Sequence, residues 1–219
     1  MTSPRLLPPV PPPDRPPQIV YCDDSLLVVN KPAGMLSVPG RGPDKQDCLS
    51  TRIQAECPDA LVVHRLDMAT SGLLLFARGP EMQRRLSEMF REREVAKRYC
   101  ALVQGRPAAD AGEIDLPIVA DWPNRPLRKI DAATGKPSLT RYRLLDYDEQ
   151  RDLSRLELEP VTGRTHQLRV HLSAIGHPIL GDALYGGMPA ARLMLHAQLL
   201  GFDHPVTGEK LEFVHEAAF

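Results

Sequence analysis

Two uninterrupted apolar runs set the terms of the fold. Leu26-Leu27-Val28-Val29, in "SLLVVNKPAG", and Leu73-Leu74-Leu75-Phe76, in "GLLLFA", show no polar alternation and are too short for helices. Runs of this length bounded by turn residues read as buried strands, and the first ends at a turn carrying Pro32 and Gly34. Other segments alternate instead. "TRYRLLDY" and "SRLELEP", joined by the polar "DEQRD", read as neighbouring antiparallel strands. "RYCALVQG", "RLMLHAQLLGF" and "KLEFV" supply further strands. Helices fall between them at irregular intervals. "DCLSTRIQAEC" reads as a short one with Asp47 as its cap and Leu49 and Ile53 inward. "PEMQRRLSEMFRERE" is amphipathic, with Pro80 in the first turn and Met82, Leu86, Met89 and Phe90 along one stripe. "RTHQLRVHLSAIGHP" turns Leu168, Leu172 and Ile175 inward and closes at Gly176 and Pro178. The expected class is therefore α+β, with flanking helices on a mixed, mostly antiparallel β-sheet, not a regular βαβ array.

Residues 1–18 stand apart. They hold eight of the 22 prolines, a density that no helix or central strand tolerates, so a disordered or polyproline tail is expected there. A single domain is expected over residues 19–219. No stretch approaches the roughly 20 apolar residues of a membrane span, and no apolar signal core opens the chain. Cys22, Cys48, Cys57 and Cys100 form no CxxC pair and read as reduced thiols of a cytoplasmic protein.

The net charge of −1 conceals an uneven distribution. Between Asp121 and Arg143 lie six basic residues (Arg125, Arg128, Lys129, Lys136, Arg141, Arg143) and two acids. From Asp146 to Glu159 six acids face two arginines. A neutral total can thus hold one basic face suited to phosphate, although charge runs are also ordinary solvated surface.

Few constellations could do chemistry. GxGxxG is absent, and "PGRGPDK" lacks the GK[ST] ending of a phosphate loop. His166 and His171 lie five apart, about 140° around a helix, which does not put two metal ligands on one face. No metal and no cofactor are expected. Ser71, in "TSG", lacks the GxSxG elbow of a nucleophile, and with Thr70 it is expected to bond to the backbone and shape the turn. That leaves "VVHRLDMATSG". Asp67 is either a turn acid or a carboxylate kept for chemistry, since burying one for stability alone gains little. Arg65, two residues away, and Arg164 and Arg169, in "GRTHQLRVH", could hold such an acid ionised. Tyr99 is either a core aromatic or a proton acceptor.

These residues carry a resemblance. "HRLDMATSGLLLFA" resembles the central motif of the RluA-type pseudouridine synthases, and "VVNKPAG", "KRYCALV", "GRTHQLRVHLSAIGHPILGDALYG" and "RLMLHA" agree with that family in the same order. "REREVAKRY" and "DWPNRP" further resemble the branch that modifies both transfer RNA and large-subunit ribosomal RNA. The resemblance implies a catalytic domain with a central RNA-binding cleft and no cofactor, which isomerises particular uridines of structured RNA. It implies Asp67 as the catalytic carboxylate, Arg169 as its partner, and Tyr99 beside the base. Arg65 would fill the gap left by a flipped uridine. His64 and Arg164, with Arg125, Arg128 and Lys129 of the basic span, are the expected RNA contacts, and Lys31 is expected to be either structural or a further phosphate contact. Many relatives carry an N-terminal S4-type RNA-binding domain. Here only the proline-rich tail stands in that place, and a monomer acting without a membrane is expected. Activity on only one RNA class, or a non-catalytic RNA-binding role in ribosome assembly, are the alternatives.

Overall fold

The computed structural model describes residues 17–219. The expected proline-rich tail, apart from its last two residues, lies outside the described residues. Along the chain come β1 (Gln18–Cys22), β2 (Leu26–Lys31), α1 (Leu49–Glu56), β3 (Ala60–Val62), β4 (Ser71–Arg78), α2 (Pro80–Glu92), β5 (Ala96–Gln104), β6 (Ala111–Asp115), β7 (Ile118–Ala120), β8 (Arg128–Ile130), β9 (Leu139–Asp148), β10 (Leu153–Pro160), α3 (Gln167–Ala174), β11 (Leu195–Asp203) and β12 (Lys210–Val214). The architecture is α+β on a large, mixed, mostly antiparallel sheet. The chain packs as two compact units, one of residues 99–195 and the other of the residues before and after them.

In the second unit, the two apolar runs become adjacent strands. β2 and β4 pair antiparallel from Leu26↔Ala77 to Lys31↔Gly72. Side chains alternate across a sheet, so Leu26, Val28, Leu73 and Leu75 fill one face, and Leu27, Val29, Leu74 and Phe76 the other. All eight are fully buried, which is why neither run needed polar alternation. The first face joins Leu86, Val95, Leu200 and Phe202 in one core, with Met82, Met89 and Phe90 of α2 packed on it. The other edge of β4 is shared, with β3 antiparallel along Leu61↔Ala77 and β11 parallel at His196↔Ser71 and Ala197↔Gly72. Gly72 makes that last pairing possible. Its φ is 116°, and a Cβ there would lie 2.3 Å from the Ala197 carbonyl oxygen.

Asp47 does not cap α1. Cys48 holds the cap position with extended dihedrals, its N–H donating to Thr51 Oγ1 at 3.2 Å. Asp47 instead takes the Arg52 guanidinium on both its oxygens at 2.7 Å. The ion pair and the first-turn hydroxyl together displace the expected cap.

In the unit of residues 99–195 the strands lie in the order β5-β10-β9-β6. β9 and β10 form the expected hairpin, with Ser154, Leu156 and Leu158 buried on the inner side. β7 and β8 make a separate two-stranded ribbon.

Candidate active site

Asp67 sits in a loop held from both sides by the turn after β2. Leu66 donates its N–H to Ser37 Oγ at 3.1 Å, and the same hydroxyl donates back to the Leu66 carbonyl at 2.8 Å. The Met68 carbonyl accepts the Gly34 N–H at 2.8 Å and the Lys31 ammonium at 3.2 Å. Thr70 N–H closes the turn on the Asp67 carbonyl at 3.1 Å. The residue on either side of Asp67 is therefore clamped, and Leu66 and Thr70 are buried while Arg65 and Met68 face solvent. Asp67 itself is half-buried. This is a rigid mount for a carboxylate, which catalysis by placement requires.

Lys31 is not an RNA-facing residue. It is fully buried, and its ammonium also donates to the Pro32 and Met35 carbonyls at 2.8 Å each. Three backbone oxygens thus converge on one cation, tying the turn after β2 to the Asp67 loop. Lys31→Met would strand those oxygens away from water. It is expected to cost about 3 kcal/mol in denaturant unfolding and to loosen the loop as well. An unchanged unfolding midpoint would contradict that role.

His64 also turns inward. Its Nε2 accepts the Leu75 N–H at 3.0 Å, and its ring stacks on Phe90 with centroids 4.4 Å apart. Burial, aided by the Lys97 charge, lowers its pKa from 6.5 to about 3. A neutral acceptor has no charge to offer phosphate, so the expected RNA contact gives way to an internal prop between β4 and α2. The unfolded imidazole takes a proton as pH falls through 6.5, the folded one only near 3, so stability drains away as pH falls across that window. His171, also held neutral by burial, adds in the same direction. Wild-type protein is expected to lose about 1–2 kcal/mol through His64 between neutral pH and pH ~5. His64→Gln, which can still accept from Leu75, should lose visibly less in the same unfolding titration.

Tyr99 lies half-buried on β5, opposite Leu158 of β10. Arg169 is buried on α3, and its Nε and one terminal nitrogen bind the two oxygens of Asp182 at 2.7 Å each. Asp182 is thus a partner of Arg169 that the sequence reading did not name. Asp182 Oδ1 also accepts the Leu184 and Tyr185 N–H groups. The Tyr185 ring lies 5.1 Å from the Arg169 guanidinium carbon. Its hydroxyl accepts the Arg128 N–H at 3.0 Å and meets His166 Nδ1 at 2.6 Å. The available signal was the glycine pair in "GDALYGG". A Cβ on Gly181 would lie 1.9 Å from the Arg192 carbonyl oxygen, and one on Gly187 1.9 Å from that of Ile179, so the loop is wound tightly around its acid.

Two more polar residues of α3 serve the fold. Gln167 Oε1 accepts from Thr162 Oγ1 and the Arg164 N–H, while Nε2 donates to the Leu139 carbonyl and Thr140 Oγ1. His171 bridges Thr140 Oγ1 and the Leu116 carbonyl at 2.9 Å each. The histidines considered as metal ligands are thus spent on internal bonds, and no group of three ligand-type side chains is placed to hold a metal among the described residues. Ser71, expected to bond to the backbone, lies 2.8 Å from His196 Nδ1.

The basic span divides. Arg141 pairs with Glu113 at 2.8 Å and Arg143 with Glu157 at 3.0 Å, across neighbouring strands, which removes both from the free positive surface. Among the described residues Arg125, Arg128 and Lys129 make no ion pair, and Arg164 donates to the Pro137 carbonyl at 3.3 Å. Arg65 is exposed beside the Asp67 loop.

The α+β fold that carries these side chains matches a known class. The RNA pseudouridylate synthase family model matches residues 25–174, and the chain belongs to that family. It is accordingly an isomerase that converts uridine to pseudouridine. The Escherichia coli K12 "Dual-specificity RNA pseudouridine synthase RluA" is 48% identical over 92% of this chain and 93% of its own length. Its Yersinia pestis counterpart is 49% identical over 92% of this chain and 99% of its own. Among solved structures, human RNA Pseudouridylate Synthase Domain Containing 1 superposes with a TM-score of 0.74 at 33% identity, covering 91% of this chain and 83% of that one. No helix among the described residues is long and apolar enough to cross a membrane.

Proposed function

We propose that the chain modifies both a transfer RNA and large-subunit ribosomal RNA, with Asp67 as the catalytic carboxylate. The observation that supports this most is the near-complete coverage, at 48–49% identity, of relatives named for dual specificity. The reaction cuts the bond from ribose C1′ to uracil N1, turns the base in place, and joins C1′ to C5. The proton on C5 leaves and N1 gains one, so no atom or electron is exchanged with an outside reagent. Asp67 acts on the sugar, either by attack at C1′ or by removing the 2′ proton to give a glycal. In both cases the carboxylate must be ionised and held still, and the clamps on Leu66 and Met68 suit that need.

Arg169 supports the carboxylate, and Tyr99 takes the C5 proton. Arg65 fills the space of the flipped uridine. Arg125, Arg128, Lys129 and Arg164 meet phosphates. Full-length transfer RNA and a ribosomal RNA fragment, each tritiated at uridine C5, test the reading. Tritium release from both, with pseudouridine in the nucleoside digest, is the expected result. Release from one alone would leave a single-specificity enzyme. Free uracil in place of pseudouridine would make the protein a hydrolase, and binding without release would leave an assembly module.

A further inference from the structure

The chain's single tryptophan, Trp122, is 67% exposed, more than any other large apolar side chain among the described residues. It sits at the tip of the β7–β8 ribbon, in a loop that closes upon itself. Asp121 N–H donates to the Leu127 carbonyl at 3.0 Å, Asn124 N–H to the Asp121 carbonyl, and Leu127 N–H to the Asn124 carbonyl. The Asp121 carboxylate is occupied by the Asn124 amide at 2.9 Å. The Arg125 guanidinium carbon stands 3.2 Å from the centroid of the indole. The guanidinium thereby lies over the ring, and most of the side chain stays exposed to solvent.

An exposed indole contributes nothing to the core. Its neighbours narrow what it is for. Arg125 in the loop and Arg128 and Lys129 on β8 place three cations together, and none of them makes an ion pair among the described residues, although the Lys129 charge helps lower the Asp131 pKa. An aromatic face beside unpaired cations fits a nucleotide, the base on the ring and its phosphates on the charges. An apolar protein segment would use the ring and leave the cations idle.

We infer that Trp122 is a stacking platform for an unpaired base of the RNA substrate, held by Arg125 and flanked by Arg128 and Lys129. The inference rests on the reading that this enzyme acts on structured RNA, and adds that the bound element must present an unstacked base in addition to the target uridine. Double-stranded RNA offers no such base.

Because Trp122 is the sole tryptophan, its fluorescence reads the site directly in the full chain. A hairpin RNA with an unpaired loop should quench it strongly, and a blunt duplex of the same stem should not. Trp122→Ala should bind the hairpin about tenfold more weakly and the duplex as wild type does, whereas Trp122→Phe should recover most of the loss. In turnover, Trp122→Ala should raise KM by a similar factor with kcat little changed. Equal quenching by hairpin and duplex, or unchanged hairpin affinity in Trp122→Ala, would overturn the platform. Emission that changes with protein concentration alone would overturn it in favour of a contact between copies of the chain. Tritium release separates the two levels. Wild-type protein that releases none overturns the functional reading itself, while release by wild type and by Trp122→Ala with the same KM overturns the platform alone.

Discussion

Asp67→Asn protein is expected to fold, to bind RNA, and to lose turnover by about 10⁴-fold or more. The amide keeps the shape of the carboxylate and most of its hydrogen-bonding capacity, but it can neither attack C1′ nor remove a proton. The backbone around it does not depend on the charge. Leu66 is held by Ser37, Met68 by Gly34 and Lys31, and the Asp67 carbonyl by the Thr70 N–H. Loss of activity should therefore come without loss of the loop. Filter binding of a transfer RNA, beside tritium release by the same preparation, checks this. Weak binding together with weak turnover would point to a collapsed loop and not to missing chemistry.

The second large effect is expected at Asp182. Its side chain is fully buried and that of Arg169 nearly so, and the two are joined by paired hydrogen bonds of 2.7 Å. Asp182→Asn removes the charge from a buried partner of a guanidinium. It should cost about 3 kcal/mol in urea unfolding, with activity lost as Arg169 swings from its place. Replacing both members by apolar residues of similar volume, Arg169→Met with Asp182→Leu, should restore much of the stability. It should restore none of the activity. A double variant less stable than Asp182→Asn would mean the pair is worth more to the fold than buried ion pairs usually are.

How much of this was legible depends on the kind of signal. The runs Leu26–Val29 and Leu73–Phe76 identified strands because burial on both faces leaves a continuous apolar trace. Alternation gave the β9–β10 hairpin, and the Met82-Leu86-Met89-Phe90 stripe gave α2. The strands that went unread, β1, β3, β6, β7 and β8, are short and few of their residues are fully buried, and "AGEID" of β6 has one buried residue among its five. The tertiary context, not the local pattern, makes them strands. At the site, motif resemblance drew attention to Asp67, Tyr99 and Arg169, but no local signal pointed to Asp182 or Ser37. Asp182 lies in a loop with no periodicity, and Ser37 is an ordinary serine until the fold brings it to Leu66. Lys31 and His64 show the reverse error. The resemblance offered both as RNA contacts, Lys31 with a structural role as its alternative, whereas three carbonyls around one ammonium and a backbone N–H on one imidazole claim both for the interior.

Mapping of pseudouridines in RNA from cells lacking this gene, after treatment with wild-type or Asp67→Asn protein, tests the central claim most directly. Wild-type protein should create pseudouridine at a few defined uridines, in a transfer RNA and in large-subunit ribosomal RNA, and Asp67→Asn should create none. Pseudouridine formed as readily by the Asp67→Asn protein would contradict the assignment of this carboxylate as the group that performs the reaction.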